Sequence, residues 1–289
     1  MDHLFLVVVS GIASGAVYGL LGLGLVIIYR ATDVMNFALA AMATLAVYVA
    51  ITVIDRGLGV LAGVVAAIVV AVVVGLVVRE FLLRPLGAGR LFAALVMTMG
   101  VSLVMEAVVS DVWGTEPRAF PPLVDGSVQL GSAAISAQDL LIIGVSAAAM
   151  LAVGYLFTRT TLGSAMRAAA ESPSTARIIG IPAQRLARIA WALGLGLAAL
   201  ASVLYVPRVG LAPTALTAPL FRAFAGIFLG GLTSMYGAVV GGIAIGVLDN
   251  LAASYVSANF RDTFVFALIV LILLLRPQGI FGTRSFERV

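Results

Sequence analysis

The sequence predicts an all-α, polytopic membrane helix bundle. Three observations carry that expectation. Of 289 residues, 62% are hydrophobic and only 10% charged, whereas a soluble domain carries about 25% charged residues. Mean hydropathy is +1.18. The apolar residues also gather into about nine stretches near the ~20 residues that a helix needs to cross the hydrocarbon core. The whole chain, 1–289, reads as one membrane domain.

The stretches fall at roughly 4–29, 34–54, 58–78, 91–112, 138–157, 190–208, 220–235, 237–257 and 262–275. The first is too long for a signal-peptide core and follows no basic segment, so it is expected to stay as a span. The second and seventh are expected to be broken or re-entrant. Asn36 sits near the start of one, and Pro213, Pro219 and Arg222 sit near the other. Irregular backbone survives at membrane depth only where protein or water covers it.

Between the fifth and sixth stretches lies a long polar segment, 158–189, with five arginines: 159, 167, 177, 185 and 188. Basic loops stay in the cytoplasm. With that segment inside, 12 of the 17 arginines fall inside and five outside (Arg56, Arg118, Arg208, Arg222, Arg261). This predicts nine spans, an outside N-terminus and a cytoplasmic C-terminus. The opposite loop, 113–137, is rich in turn residues and is expected to be irregular.

Glycines recur every four residues at Gly11, Gly15 and Gly19, and again at Gly226 and Gly230, Gly237 and Gly241, and Gly242 and Gly246. Glycine on one helix face lets another backbone approach closely, the usual way helices pack in lipid. Packing within the chain is the plain reading of these pairs, and a subunit interface or moving seam is the other.

Polar groups deep in a span are costly, so each must face other helices or a water-filled path. Asn36, Glu106 and Asp249 stand out. Ser14 and Tyr18 of the first span lie with them, as do Thr98 and Ser102, which share a helical face with Glu106. Each admits two readings, a solute pathway or a hydrogen bond that fixes packing. Hydroxyls without charge suit a neutral or zwitterionic solute.

Catalytic chemistry has no foothold, and no catalytic residue is assigned. Cysteine is absent and His3 is the one histidine, so neither a disulfide nor a histidine- or cysteine-based metal site is expected. A phosphate-binding Gly-x-x-x-x-Gly-Lys-Ser/Thr loop needs a lysine, and every basic residue here is arginine. If ATP drives this protein, another chain hydrolyses it. The arginines are scattered between spans, which argues against nucleic-acid binding.

Several segments, in order, resemble one known family. They are Gly11 to Tyr29; Met35-Asn36-Phe37-Ala38; Arg84-Pro85-Leu86 with Thr98-Met99-Gly100-Val101-Ser102; and Trp113-Gly114. They continue with Thr161-Leu162-Gly163, Met166-Arg167-Ala168 and Gly180-Ile181; Gly230-Gly231-Leu232-Thr233-Ser234 with Gly237-Ala238 and Gly241-Gly242; and the ending Arg276-Pro277-Gln278-Gly279-Ile280-Phe281-Gly282. The chain resembles the permease subunits of branched-chain amino acid ABC importers, along essentially its whole length. The resemblance implies a second permease chain, identical or related, two ATP-binding cassette subunits that hold ATP and Mg, and an extracytoplasmic solute-binding protein, all at the cytoplasmic membrane of a bacterium. It implies ATPase coupling through Thr161, Leu162, Gly163, Arg167, Ala169, Glu171 and Gly180. With the polar positions read above, the candidate solute pathway is Ser14, Tyr18, Asn36, Phe37, Leu39, Thr98, Ser102, Glu106 and Asp249, and the candidate packing glycines are Gly11, Gly15, Gly19, Gly230, Gly231, Gly237 and Gly241.

Two positions depart from the family. Leu39-Ala40 stand where a polar residue and glycine usually follow Asn-Phe-Ala, and Asp249 stands where glutamate is frequent. A less polar solute, or a partner permease that supplies the missing polar group, is the expected consequence. A self-contained secondary transporter using Glu106 and Asp249 for ion coupling is the contrasting reading, and an intramembrane enzyme is a third.

Overall fold

The computed structural model describes residues 2–282 apart from 88, 131–132, 173–175, 177, 179, 258–260 and 277. Arg177, Pro277, Arg284 and Arg288, used above, lie outside the described residues. Ten helices are named here in chain order: α1 (Asp2–Thr32), α2 (Leu39–Val53), α3 (Val60–Val78), α4 (Leu91–Trp113), α5 (Ala137–Arg159), α6 (Thr161–Glu171), α7 (Ala183–Val209), α8 (Thr217–Gly230), α9 (Met235–Tyr255) and α10 (Arg261–Leu275).

Among the described residues, seven helices are long and apolar enough to cross a membrane, by length and composition. They fall at seven of the nine expected stretches. The remaining two, expected at 220–235 and 262–275, are α8 and α10, of 14 and 15 residues. At 1.5 Å per residue α8 spans about 21 Å, short of the hydrocarbon core. Pro219 sets its first turn, and Gly231, at φ 110°, ends it. Most of α8 is buried against α9, α1 and α10, so its unpaired backbone ends are covered by protein.

The second stretch, expected to be broken or re-entrant, instead holds one helix from Leu39 long enough to cross a membrane, and the break near Asn36 precedes it. Asp33 takes a left-handed φ of 54° and ends α1, a conformation that aspartate tolerates better than most side chains. Residues 33–38 then run without helix, and α2 opens at Leu39. The 113–137 loop differs from the irregular loop expected. Ser127–Leu130 and Ala133–Ser136 pair as an antiparallel hairpin. Ser-Val-Gln-Leu alternates polar and apolar residues at the strand period, and Ile135 is buried beneath the hairpin.

The core is built from α1, α2 and α7, whose faces are closed on nearly every side. Around them α3, α4 and α5 bury only narrow stripes, such as Gly63, Ala67, Ala71 and Gly75 on α3. Their outer faces carry Leu61, Val65, Val69, Val73 and Val77 on α3, and Leu103, Val104 and Val112 on α4. In water such faces would be a liability, whereas against lipid tails they need no partner.

The bundle has two distinct ends. At one lie α6, the end of α1, the start of α9 and Phe281, which line a common cleft. The other carries the hairpin, with Arg208 joined to Asp139, and Gln138 to the Leu204 carbonyl.

Candidate functional site

The expected pathway residues separate into three groups. The first is an ion cluster around Asp249, which is 1% exposed near the middle of α9. Tyr18 of α1 donates its hydroxyl to Oδ2 at 3.2 Å. Arg261, at the start of α10, grips both oxygens, Nε to Oδ1 at 2.8 Å and Nη2 to Oδ2 at 2.6 Å. Arg222 of α8 brings its Nε to 3.1 Å from Oδ2. One carboxylate thus joins four helices and faces two guanidiniums, in surroundings where a lone charge would be expensive. Nearby, Ser10 and Ser14 accept hydrogen bonds from Arg208 at 2.8 and 3.2 Å.

The second group is the turn before α2. Asn36 is fully buried, and its Oδ1 accepts the Ala38 N–H at 3.1 Å. Its Nδ2 has no hydrogen-bond partner among the described residues. Phe37 stacks on Phe224 of α8 with ring centres 5.0 Å apart. Leu39 is completely enclosed. Thr98 of α4 donates to the carbonyls of Leu95 at 2.9 Å and Met35 at 3.3 Å, so α4 holds the turn in place.

The third group is Ser102 with Glu106. Ser102 donates to Glu106 Oε1 at 3.3 Å, one turn along α4. Both are half-buried. They sit on α4, which packs on α2, whereas the Asp249 cluster joins α1, α8, α9 and α10.

Sequence reasoning counted Arg208, Arg222 and Arg261 among the free outside arginines. The structure places all three on helices, paired with Asp139 or Asp249. The available signal was that an aspartate deep in an apolar helix requires a cation, and Arg222 stands inside an apolar stretch. A second cluster was missed entirely. Glu80, in the turn just after α3, accepts from Arg84 at 2.9 Å and Arg188 of α7 at 2.8 Å, and pairs with Arg79. Arg79 also reaches Gln184 at 2.9 Å. These contacts staple α3 to the start of α7.

The segment expected to couple to an ATPase holds α6. Its hydroxyl cap is Thr160, which accepts the Gly163 N–H at 3.1 Å, the pattern that satisfies an otherwise unpaired helix donor. Gly163 and Met166 form the buried face, with Leu162 and Ala169 half-buried beside it. Thr161, Arg167 and Glu171 are exposed. A methyl at Gly163 would collide with the Leu156 carbonyl and the Phe157 backbone, so glycine is what seats α6 on α5. Gly180 is exposed and takes a left-handed φ of 79°.

The glycines lie on a three-helix seam. Gly11, Gly15 and Gly19 of α1 face Val247, Gly246, Ile243, Gly242 and Val239 of α9, while Gly226 and Gly230 of α8 face Gly242, Gly241 and Gly237. Gly231 touches Gly279 and Gly282. The C-terminal segment is strapped on there by bonds from Ile280 N to Leu229 O and from Phe281 N to Gly230 O.

Residues 7–273 match the family model described as branched-chain amino acid transport system / permease component. The chain is 31% identical to the high-affinity branched-chain amino acid transport system permease protein LivH of Escherichia coli, across 97% of this chain and 96% of that one. It is 28% identical to the corresponding BraD of Pseudomonas aeruginosa across 99% and 98%. A fructose import permease protein, FruG of Bifidobacterium longum, is 24% identical over 97% of this chain and 81% of its own. With a model matched over nearly its whole length, this multi-pass membrane chain belongs to the branched-chain amino acid transport permease family.

Proposed function

We propose that this chain is the transmembrane permease subunit of an ATP-binding-cassette importer for branched-chain amino acids or a related small, fairly apolar solute. The observation that carries the reading is α6. It is a capped, amphipathic helix outside the spans, seated through Gly163 with Arg167 and Glu171 left exposed. A transporter that powered itself would have no use for such a surface. A subunit driven by separate ATPases requires one, and a rigid helix can pass their closure to the spans as a rigid-body movement.

In this reading the α6 end is cytoplasmic, the N-terminus lies outside, and α8 and α10 complete nine membrane segments. Two ATP-binding subunits, with their ATP and Mg, dock at α6. A second permease chain, identical or related, covers part of the bare apolar faces. A solute-binding protein delivers at the hairpin end. The contrasting ion-coupled transporter loses ground at Asp249, because a carboxylate gripped by Arg261 and approached by Arg222 is a fixed counter-ion and not a group free to load and release a cation.

Affinity purification of the tagged chain from its native membrane, with mass spectrometry of what is retained, tests the reading. ATP-binding subunits are expected, with either one or two kinds of permease. A chain that elutes alone under conditions that preserve membrane complexes overturns it.

A further inference from the structure

The cleft at the α6 end has a volume of 540 Å³, within the roughly 300–1,000 Å³ usual for small-molecule sites. Its floor is apolar, formed by Leu23, Met150, Val153, Phe157 and Val239 from α1, α5 and α9. Its rim carries Arg30 and Asp33 from the end of α1, and Arg167 and Glu171 from α6. Among the described residues no ion pair joins these four groups; Arg167 touches only the Ser164 hydroxyl, at 3.4 Å. Two cations and two anions thus line one cavity, and the attraction between Arg30 and Glu171 across it falls short of a direct ion pair. Their charges sum to zero, which disfavours a phosphate, a nucleotide or a bare cation. An apolar floor beneath a rim of both signs fits a small zwitterion with an apolar side chain.

We propose that this cleft binds a neutral α-amino acid with an apolar side chain. Arg30 takes the carboxylate, Glu171 takes the ammonium, and the side chain enters between Val153 and Val239. Such an occupant bridges α1 to α6 and restrains the helix read above as the ATPase dock. Its regulatory consequence, slower transport as internal solute accumulates, rests on that reading; the binding itself does not.

The absence of native cysteine allows a direct test. Thr158, exposed on the rim, is replaced in Thr158→Cys, and its maleimide labelling is followed in phosphatidylcholine nanodiscs with L-leucine as the probe. Leucine is expected to slow labelling, while leucinamide and 4-methylpentanoate, each lacking one charge, do so far less. Adding Arg30→Gln is expected to raise the leucine concentration for half-protection about tenfold, the effect of losing one hydrogen bond to a charged group. Leu91→Cys, exposed near the same end but outside the cleft, reports whether the Arg30→Gln protein keeps its fold, and its labelling is expected to ignore leucine. Where Arg30→Gln misfolds, Glu171→Gln, which removes the charge assigned to the ammonium, carries the same test. The proposal is overturned by absent protection, by protection that survives both charge variants, or by equal protection from either analogue. Protection that follows added phosphatidylethanolamine in place of leucine also overturns it, by assigning the cleft to a lipid headgroup. No ATPase is present, so each failure leaves the docking reading standing, and loss of copurified ATPase leaves the cleft standing.

Discussion

At the scale of single residues, Asp249 decides more than any other side chain. Removing one partner from a buried ion pair strands the rest, and typically costs 3–5 kcal/mol, because the remaining charge keeps its desolvation penalty. Asp249→Asn leaves Arg222 and Arg261 against a neutral amide. It is expected to lower stability by about 3 kcal/mol, read as a fall in the midpoint of denaturant unfolding in detergent. The double variant Asp249→Asn with Arg261→Gln removes one of the two stranded cations and should recover part of that loss. If the single variant unfolds where the native chain does, the cluster is not what joins the four helices. The sequence announced Asp249, since a carboxylate in an apolar helix cannot be idle, but it did not announce the partners. Arg222 and Arg261 come from other helices, 27 and 12 positions away in the chain, and no local pattern encodes which cation meets which anion across a bundle.

At the scale of elements, small residues set how close helices come. A methyl at Gly246 would overlap the Gly15 backbone, whereas one at Gly100 or Gly144 would meet nothing within 4 Å. Gly246→Val is therefore expected to destabilise by about 1–3 kcal/mol or more, since the α1–α9 seam can only open or shift. Gly144→Ala should be neutral or slightly favourable through helix propensity. Thermal aggregation of the two purified variants separates them, and equal behaviour would refute the seam. The four-residue spacing of these glycines was legible because the helical period alone puts them on one face. Their partner helix was not, because spacing names a face and no neighbour. The helix α6 raises the same point. Thr160 caps it through a bond to Gly163, and a Thr→Ala change at a cap costs about 1 kcal/mol. Thr160→Ala should fray the first turn of α6 and, under the proposed function, lower solute-stimulated ATP hydrolysis in the reconstituted complex while leaving yield and span packing intact. Full stimulation in that variant would mean that the turn Gly163 anchors does not transmit the coupling.

At the scale of the whole molecule, the orientation in the membrane rests on arginines that the structure redistributes. Of the five counted outside, Arg208, Arg222 and Arg261 are helix-borne counter-ions held by aspartates. Charges neutralised inside a bundle carry little weight in a rule that counts free loop cations. Removing them, and equally Arg79, Arg84 and Arg188, which Glu80 holds, leaves Arg56 and Arg118 at the hairpin end, against Arg30, Arg90, Arg159, Arg167 and Arg185, among others, at the α6 end. The asymmetry therefore sharpens, because three of the five arginines that stood against it are counter-ions. The geometry turns this into a single measurable alternative. Asp125 and Ser164 are both exposed, one in the hairpin loop and one on α6, at opposite ends of the bundle. In cells whose envelope admits a membrane-impermeant maleimide as far as the cytoplasmic membrane, Asp125→Cys should label at once, and Ser164→Cys only after that membrane is breached. The reverse pattern would put α6 outside, beyond the reach of any ATP-hydrolysing subunit, and would remove the physical basis of the import mechanism while leaving the fold as it is.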